Sequence, residues 1–145
     1  MNSLRRALVA VLVLGLVRPL AALAAWNKEA FSAKTAGDAL KNLGIANAQP
    51  SKDLTVEIPE IAENGAVVPI EISSAIPGTT SLIVVIDKNP FPLITRFDFK
   101  EGALPFVKLN AKVGETSDVR VLAEAAGKYY VTTREVKVTI GGCGG

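Results

Sequence analysis

From residue 54 onward the chain is a succession of short apolar runs, each closed by a turn signal. This rhythm limits the available folds more than any other feature of the sequence. The runs cover residues 54–58, 66–72, 82–86, 93–99, 104–113, 117–125 and 129–140. Between them stand Asn64-Gly65, Pro77-Gly78, Glu101-Gly102, Gly114 and Ala126-Gly127, residues that supply the backbone angles of tight turns. Within the runs the period is two. Leu54, Val56 and Ile58 share one side, and Val136, Val138 and Ile140 alternate with Glu135, Lys137 and Thr139. Successive side chains of a strand point to opposite faces, so such runs bury one face and wet the other. Residues 82–86 (Leu-Ile-Val-Val-Ile) are apolar on both faces and predict a central strand covered on both sides. About seven short strands at a spacing of roughly 8–12 residues predict an all-β, immunoglobulin-like antiparallel sandwich. With one cysteine in the chain, the inter-sheet disulfide of antibody domains is impossible. Glu57, Glu71, Asp98 and Glu135 fall on the wet faces, and Tyr129-Tyr130 reads as core and rim packing.

A short helical segment precedes the strands, over residues 26–43. Asn27 is placed to cap its first turn, and Thr35 with Asp38 resembles a capping box. Ala36, Leu40 and Leu43 then share a face, and Gly44 ends the helix as a left-handed residue. Trp26, Phe31 and Leu40 are expected to pack against a sheet. Residues 1–24 read as an export signal: Arg5 and Arg6, an apolar stretch over residues 7–17, and a small-residue cleavage site at Ala22-Leu23-Ala24. The domain then covers residues 25–140 and a tail covers residues 141–145. The adjacent arginines also fit a twin-arginine signal, so both export routes stay open. The signal shapes the bulk properties of the chain. Mean hydropathy is +0.33 and the net charge is +2, from 16 basic and 14 acidic residues. Removing Arg5, Arg6 and Arg18 leaves 13 basic minus 14 acidic residues, or −1. That balance offers no basic patch for nucleic acid and no polybasic membrane anchor.

Histidine is absent and cysteine occurs once, at position 143. A Cys–His or Ser–His catalytic pair and a Cys-x-x-Cys redox motif are therefore excluded. A zinc, copper or haem site of the usual His/Cys kind has no ligands, and no resident metal or cofactor is expected. Cys143 is flanked by Gly141, Gly142, Gly144 and Gly145. Four residues without Cβ predict a thin, mobile arm at the end of a rigid strand. Fully extended, five residues reach about 17 Å. Glycine-rich chain ends are often without function, and a lone exported cysteine can simply pair between molecules. A thiol near its ordinary pKa of about 8.5, with no activating neighbour, is nonetheless what a covalent carrier requires. Such a carrier offers the handle and its partners supply the catalysis. A second unusual stretch, Asn89-Pro90-Phe91-Pro92, is stiffened by its prolines. With Ile94, which alternation places on an otherwise polar strand face, it is the candidate partner contact.

The stretches Trp26-Asn27-Lys28-Glu29-Ala30-Phe31, Asn64-Gly65-Ala66-Val67-Val68-Pro69, Lys88-Asn89-Pro90-Phe91-Pro92-Leu93 and residues 136–145, ending Gly-Gly-Cys-Gly-Gly, resemble the SoxY family. These are the sulfur-carrying subunits of the periplasmic thiosulfate-oxidising (Sox) system. Ala126 stands before Gly127 where the resemblance leads one to expect Asp. The resemblance implies a non-catalytic carrier whose Cys143 thiol is the covalent attachment point for thiosulfate-derived sulfur. It also implies a heterodimer with a SoxZ-like subunit, or a heterotetramer built from it. A c-type cytochrome complex would conjugate thiosulfate to the thiol, a dimetal hydrolase would release sulfate, and a molybdenum–haem sulfane dehydrogenase would oxidise the remaining sulfur. The haem, dimetal and molybdenum centres thus belong to partners. Two other readings stay open: a structural sandwich module that forms an intermolecular disulfide through Cys143, and a carrier that works through the Gly144-Gly145 carboxylate.

Overall fold

The computed structural model describes residues 26–139. Two short helices lead, α1 (Lys28–Ser32) and α2 (Ala36–Asn42). Nine strands follow: β1 (Gln49–Pro50), β2 (Leu54–Glu57), β3 (Ile61–Ala62), β4 (Val68–Ser74), β5 (Thr79–Ile86), β6 (Leu93–Asp98), β7 (Phe106–Ala111), β8 (Ser117–Ala125) and β9 (Lys128–Val138). The larger sheet has the order β1-β9-β8-β5-β6, with β3 also paired to β9, and the smaller sheet is β2-β4-β7. The seven long strands pair antiparallel, as the alternating runs require. The two-residue strands β1 and β3 run parallel to β9 along its outer edge. Splitting the strands into β2-β4-β7 and β9-β8-β5-β6 gives the two sheets of an immunoglobulin-like sandwich.

The double coverage of β5 has a specific cause. Leu82, Val84 and Ile86 enter the core between the sheets, together with Val56, Ile70, Ile72, Val121 and Val136. Ile83 and Val85 point the other way and join Ala30, Ala39, Ile45, Leu93 and Leu122 in a second core beneath the helices. The protein is therefore a three-layer stack of helices, large sheet and small sheet. A strand in its middle layer has no wet face to mark with polar residues. Tyr130 packs on the inter-sheet core and Tyr129 on the helix-side core, as neighbours on one strand must.

The helical region differs from the single segment that the sequence predicts. The chain breaks at Ala33, which is extended, and each half has its own cap. Asn27 Oδ1 accepts from Ala30 N at 2.9 Å, and Thr35 Oγ1 accepts from Asp38 N at 3.1 Å. Asp38 is one methylene short of the usual Glu, and its carboxylate takes the Thr35 hydroxyl at 2.7 Å in place of a backbone amide. The second helix ends in a Schellman motif: Gly44 has φ +77°, Gly44 N reaches Lys41 O at 2.9 Å, and Ile45 N reaches Leu40 O at 2.9 Å. Phe31 and Leu40 pack against the sheet as expected. Trp26 does not. It is 65% exposed and tilts against Phe31 with ring centroids 5.4 Å apart.

Ile94 also departs from its predicted position. Strands β5 and β6 slip by one residue between Val84 and Val85, where Thr95 pairs with Val84 and Leu93 with Val85. The extra residue at this bulge is Ile94. It is half-buried against the inter-sheet core rather than exposed on a polar face. A bulge resets the alternation, which the period-two pattern cannot show.

Candidate functional site

The residues singled out at the C-terminus, Gly141, Gly142, Cys143, Gly144 and Gly145, lie outside the described residues. The structure does describe their root, the end of β9, and the loops around it. Strand β9 is held on both edges up to Thr139. On one side, Lys137 N donates to Glu60 O at 2.8 Å and Thr139 N to Ala62 O at 3.2 Å. On the other, β8 pairs with it as far as Ser117 opposite Val136. Val138 N then donates to Thr116 Oγ1 at 3.0 Å. Val136 is fully buried, and Val138 packs against the same core.

Three loops meet at this end and are bonded to one another. Gly65 O accepts from Val113 N at 2.7 Å. A Cβ on Gly65 would overlap the Val113 carbonyl oxygen and lie 2.9 Å from Val138 Cγ1. This glycine is required by closeness of approach, not by its backbone angles. Asn89 bridges the next pair of loops: its Nδ2 donates to Lys112 O at 2.7 Å and its Oδ1 accepts from Gly114 N at 3.0 Å. Lys88 N donates to Ser117 Oγ at 3.0 Å. At the base of the same loop, Asp87 receives a hydrogen bond from Arg120.

The structure thus brings the 89–92 loop and the root of the C-terminal segment to one end of the sandwich. Pro92 is buried, and its carbonyl accepts from Ile86 N at 2.8 Å. Phe91 is 49% exposed, with Lys34 Nζ 3.6 Å above its ring, a cation–π contact that ties the loop tip to the joint between the helices. Pro90 is exposed, and Ile61 and Val67 add further exposed apolar surface in the segments leading to and from the 63–67 loop. Thr116 and the Gly65–Val113 contact were not foreseen. Gly65 was visible as a turn residue, but nothing in the local pattern marks Thr116, whose partner is distant in sequence.

The carboxylates on strand faces are paired or solvated. Glu71 takes Lys108 Nζ at 2.6 Å across β4 and β7. That hydrogen bond and the charge of Glu71 raise the Lys108 pKa above its ordinary value. Arg96 bonds Asp98 at 2.8 Å and Glu124 at 2.9 Å. Burial opposes its charge, but the hydrogen bond and charge of Asp98, with Glu124, hold its pKa above the usual range. Among the described residues, no helix is long and apolar enough to cross a membrane. Nor does any group of three or more His, Cys, Asp or Glu side chains there come together in a way that would hold a metal.

Fold and site together define an immunoglobulin-like β-sandwich that clamps the last described residues of its final strand between neighbours. Residues 41–143 match the family model described as the sulfur oxidation protein SoxY. The chain belongs to the SoxY family. Its fold is similar to that of the sulfur carrier protein SoxY from Chlorobium limicola f thiosulfatophilum, at 36% identity and a TM-score of 0.65 over 72% of this chain and 96% of that one. Two more distant structures also align. One is a chain from a study of T cell specificity and activation by the bacterial superantigen toxic shock syndrome toxin-1, with 13% identity, 59% of this chain, 99% of that chain and a TM-score of 0.43. The other is an engineered protein with 17% identity, 60% of this chain, 20% of that chain and a TM-score of 0.41. Neither bears on function. No curated protein matches this chain.

Proposed function

We propose that this protein is an exported sulfur carrier of thiosulfate oxidation and that Cys143 is its point of covalent attachment. Family membership supports the carrier role in sulfur oxidation, and the related carrier aligns over nearly its whole length. The single observation that carries the finer reading is the clamped end of β9. The only thiol of the chain lies four residues beyond Thr139, the last anchored amide among the described residues, and glycines surround it. In the conjugating step, a disulfide bond forms between Cys143 Sγ and the sulfane sulfur of thiosulfate. The thiol proton is released, and two electrons pass to a c-type cytochrome partner. Hydrolysis by a dimetal partner enzyme then releases sulfate and leaves a persulfide on the carrier. A molybdenum–haem sulfane dehydrogenase oxidises that sulfur where it is present. Backbone amides of the glycines are free of side chains and suited to hydrogen-bonding the anionic sulfonate.

A SoxZ-like subunit completes the carrier as a heterodimer in the periplasm, reached through the signal at residues 1–24. The 89–92 loop is its proposed contact surface, now centred on exposed Phe91 and without the half-buried Ile94. The carrier reading is tested by Cys143→Ser in a reconstituted thiosulfate-oxidising system. The variant should keep the wild-type unfolding temperature and lose thiosulfate-dependent electron transfer. Mass spectrometry of the wild type should show sulfur adducts on Cys143. A folded Ser variant that still turns over would refute the reading. Adducts on the C-terminal carboxylate, or only a disulfide-linked dimer, would favour the two alternatives.

A further inference from the structure

The large sheet has two edges, and the fold treats them differently. Along the outer edge of β9 run the two-residue strands β1 and β3. The edge at β6 has no such cover: among the described residues, β6 pairs with β5 alone. The core thins on the same side. Leu82, Val84 and Val121 of the central strands are fully buried. Ile94 and Phe99, on β6 and just beyond it, and Val107 and Leu109 on β7 are only half-buried against the inter-sheet core. Phe97 is half-buried as well.

The ladder fixes which main-chain groups the bare edge presents. Phe99 N donates to Thr80 O at 2.8 Å. In the register that pairs Ser81 with Asp98, alternation turns the amides and carbonyls of Thr95, Phe97 and Phe99 toward β5 and those of Arg96 and Asp98 outward. An open row of this kind is a template for another strand. Arg96 lies opposite Ile83 and Asp98 opposite Ser81, so both side chains share the helix side of the sheet. Both retain bonding capacity. Arg96 uses Nε for Asp98 Oδ1 and Nη2 for Glu124, and neither Arg96 Nη1 nor Asp98 Oδ2 has a partner among the described residues.

We propose that β6 is a self-pairing edge: a second copy of this chain joins it antiparallel across a two-fold axis and extends the large sheet. Such a pairing bonds outward-facing residues to one another, which leaves three central registers. Arg96 opposite the partner's Arg96 sets two guanidinium groups together, and Asp98 opposite the partner's Asp98 sets two carboxylates together; both are unfavourable. The third register sets each Arg96 opposite the partner's Asp98. It also brings Phe97 against the partner's Phe97 on the axis, on the inter-sheet side. Charge thus selects the register, and the aromatic pair covers half-buried apolar surface. Seven strand spacings of about 4.8 Å then separate the two β9 strands by roughly 34 Å, at the outer edges of the joint sheet. The end of β9 stays open in both copies.

The test is sedimentation equilibrium of the exported protein under reducing conditions, which removes any Cys143 disulfide. Wild type should be a reversible dimer. Phe97→Lys and Phe97→Glu each set two like charges on the axis and should each weaken the dimer about tenfold. An equimolar mixture of the two sets ammonium against carboxylate and should recover the dimer to within about threefold of wild type. Phe106→Lys, on the bare strand β7, should leave the dimer unchanged. Asp98→Arg, at a side chain 67% exposed, sets like charges opposite each other in the same register and should weaken the dimer about as much. That variant keeps the test decisive if unfolding temperatures show that the Phe97 variants do not fold. A wild type that is monomeric at every concentration, folded Phe97 variants whose mixture stays monomeric, or a dimer that Phe106→Lys abolishes and Asp98→Arg does not, would overturn the proposal.

Discussion

The two ends of the sandwich are built on different principles. At the end where β9 finishes, the loops are tied to one another across long sequence separations: Gly65 to Val113, Asn89 to Lys112 and Gly114, Thr116 to Val138. At the opposite end long-range backbone bonds also occur, such as Ser74 N to Pro105 O and Ala75 N to Asp53 O, but one turn is fixed largely from within. Ser74 and Thr79 hydroxyls lie 2.8 Å apart, Ile76 N donates to Ser74 Oγ, and Thr79 Oγ1 donates to Ile76 O, all within one turn. Gly78, Gly102 and Gly127 have positive φ there and open space where a Cβ would sit. A self-contained turn stabilises its own hairpin and transmits little. A cross-bonded set of loops holds one point in space, here the end of β9.

Glycine substitutions should expose this contrast most strongly. Gly65→Ala forces a Cβ into the Val113 carbonyl oxygen and toward Val138. Backbone cannot yield as a flexible side chain can, so the cost should be about 2–3 kcal/mol. Gly78→Ala meets nothing and carries only the strain of an L-residue at φ +74°, about 1 kcal/mol. Urea unfolding of both variants checks the order. A Gly78→Ala loss equal to or larger than that of Gly65→Ala would erase the distinction between the ends.

Much of this was legible in the sequence, and the exceptions share a cause. The 82–86 run announced a strand covered on both faces because burial leaves a compositional trace. The two N-caps, Asn27 and Thr35, were both readable. They were read within a single helical segment, whereas each caps a helix of its own. Ile94 was misplaced because a bulge is a property of pairing between strands, not of either strand alone. Strands β1 and β3 were invisible because two residues carry no period. Thr116 falls between a turn and a strand, and its role depends on Val138, 22 residues away. Local propensity reported on elements, whereas the end of β9 is fixed by contacts between them.

The β8–β9 hairpin offers a smaller effect of opposite sign. Its two loop residues, Ala126 and Gly127, both have positive φ, +50° and +72°. That is the type I′ geometry favoured by Asn-Gly or Asp-Gly, and alanine suits the first position poorly. The sequence had already marked Ala126 as the departure from its family resemblance. Ala126→Asn should stabilise the protein by about 0.5–1 kcal/mol in thermal or urea unfolding. It should leave thiosulfate conjugation unchanged, because the change is confined to the far end. An altered kcat would show that the far end communicates with the root.

The smallest effect is expected between the ends, on the outer face of the small sheet, where Lys108 and Glu71 face each other across β7 and β4. The pKa of Lys108 is raised from its ordinary 10.5, chiefly by its hydrogen bond to Glu71 and by the charge of that carboxylate. A raised folded-state pKa means that the folded protein binds this proton more tightly than the unfolded chain does. The contribution is therefore complete below the unfolded value and is lost as pH rises through the folded one. Comparing wild type with Lys108→Gln isolates it, since other lysines titrate in both. The wild-type advantage in unfolding temperature should be constant near neutrality and shrink above about pH 10.5. Added salt should shrink it at every pH, because the lysine is fully exposed and the pair is screened. An advantage that survives both high pH and salt would mean that Lys108 acts through its aliphatic stem, which lies beside exposed Phe106 with Nζ 5.6 Å from the ring centre.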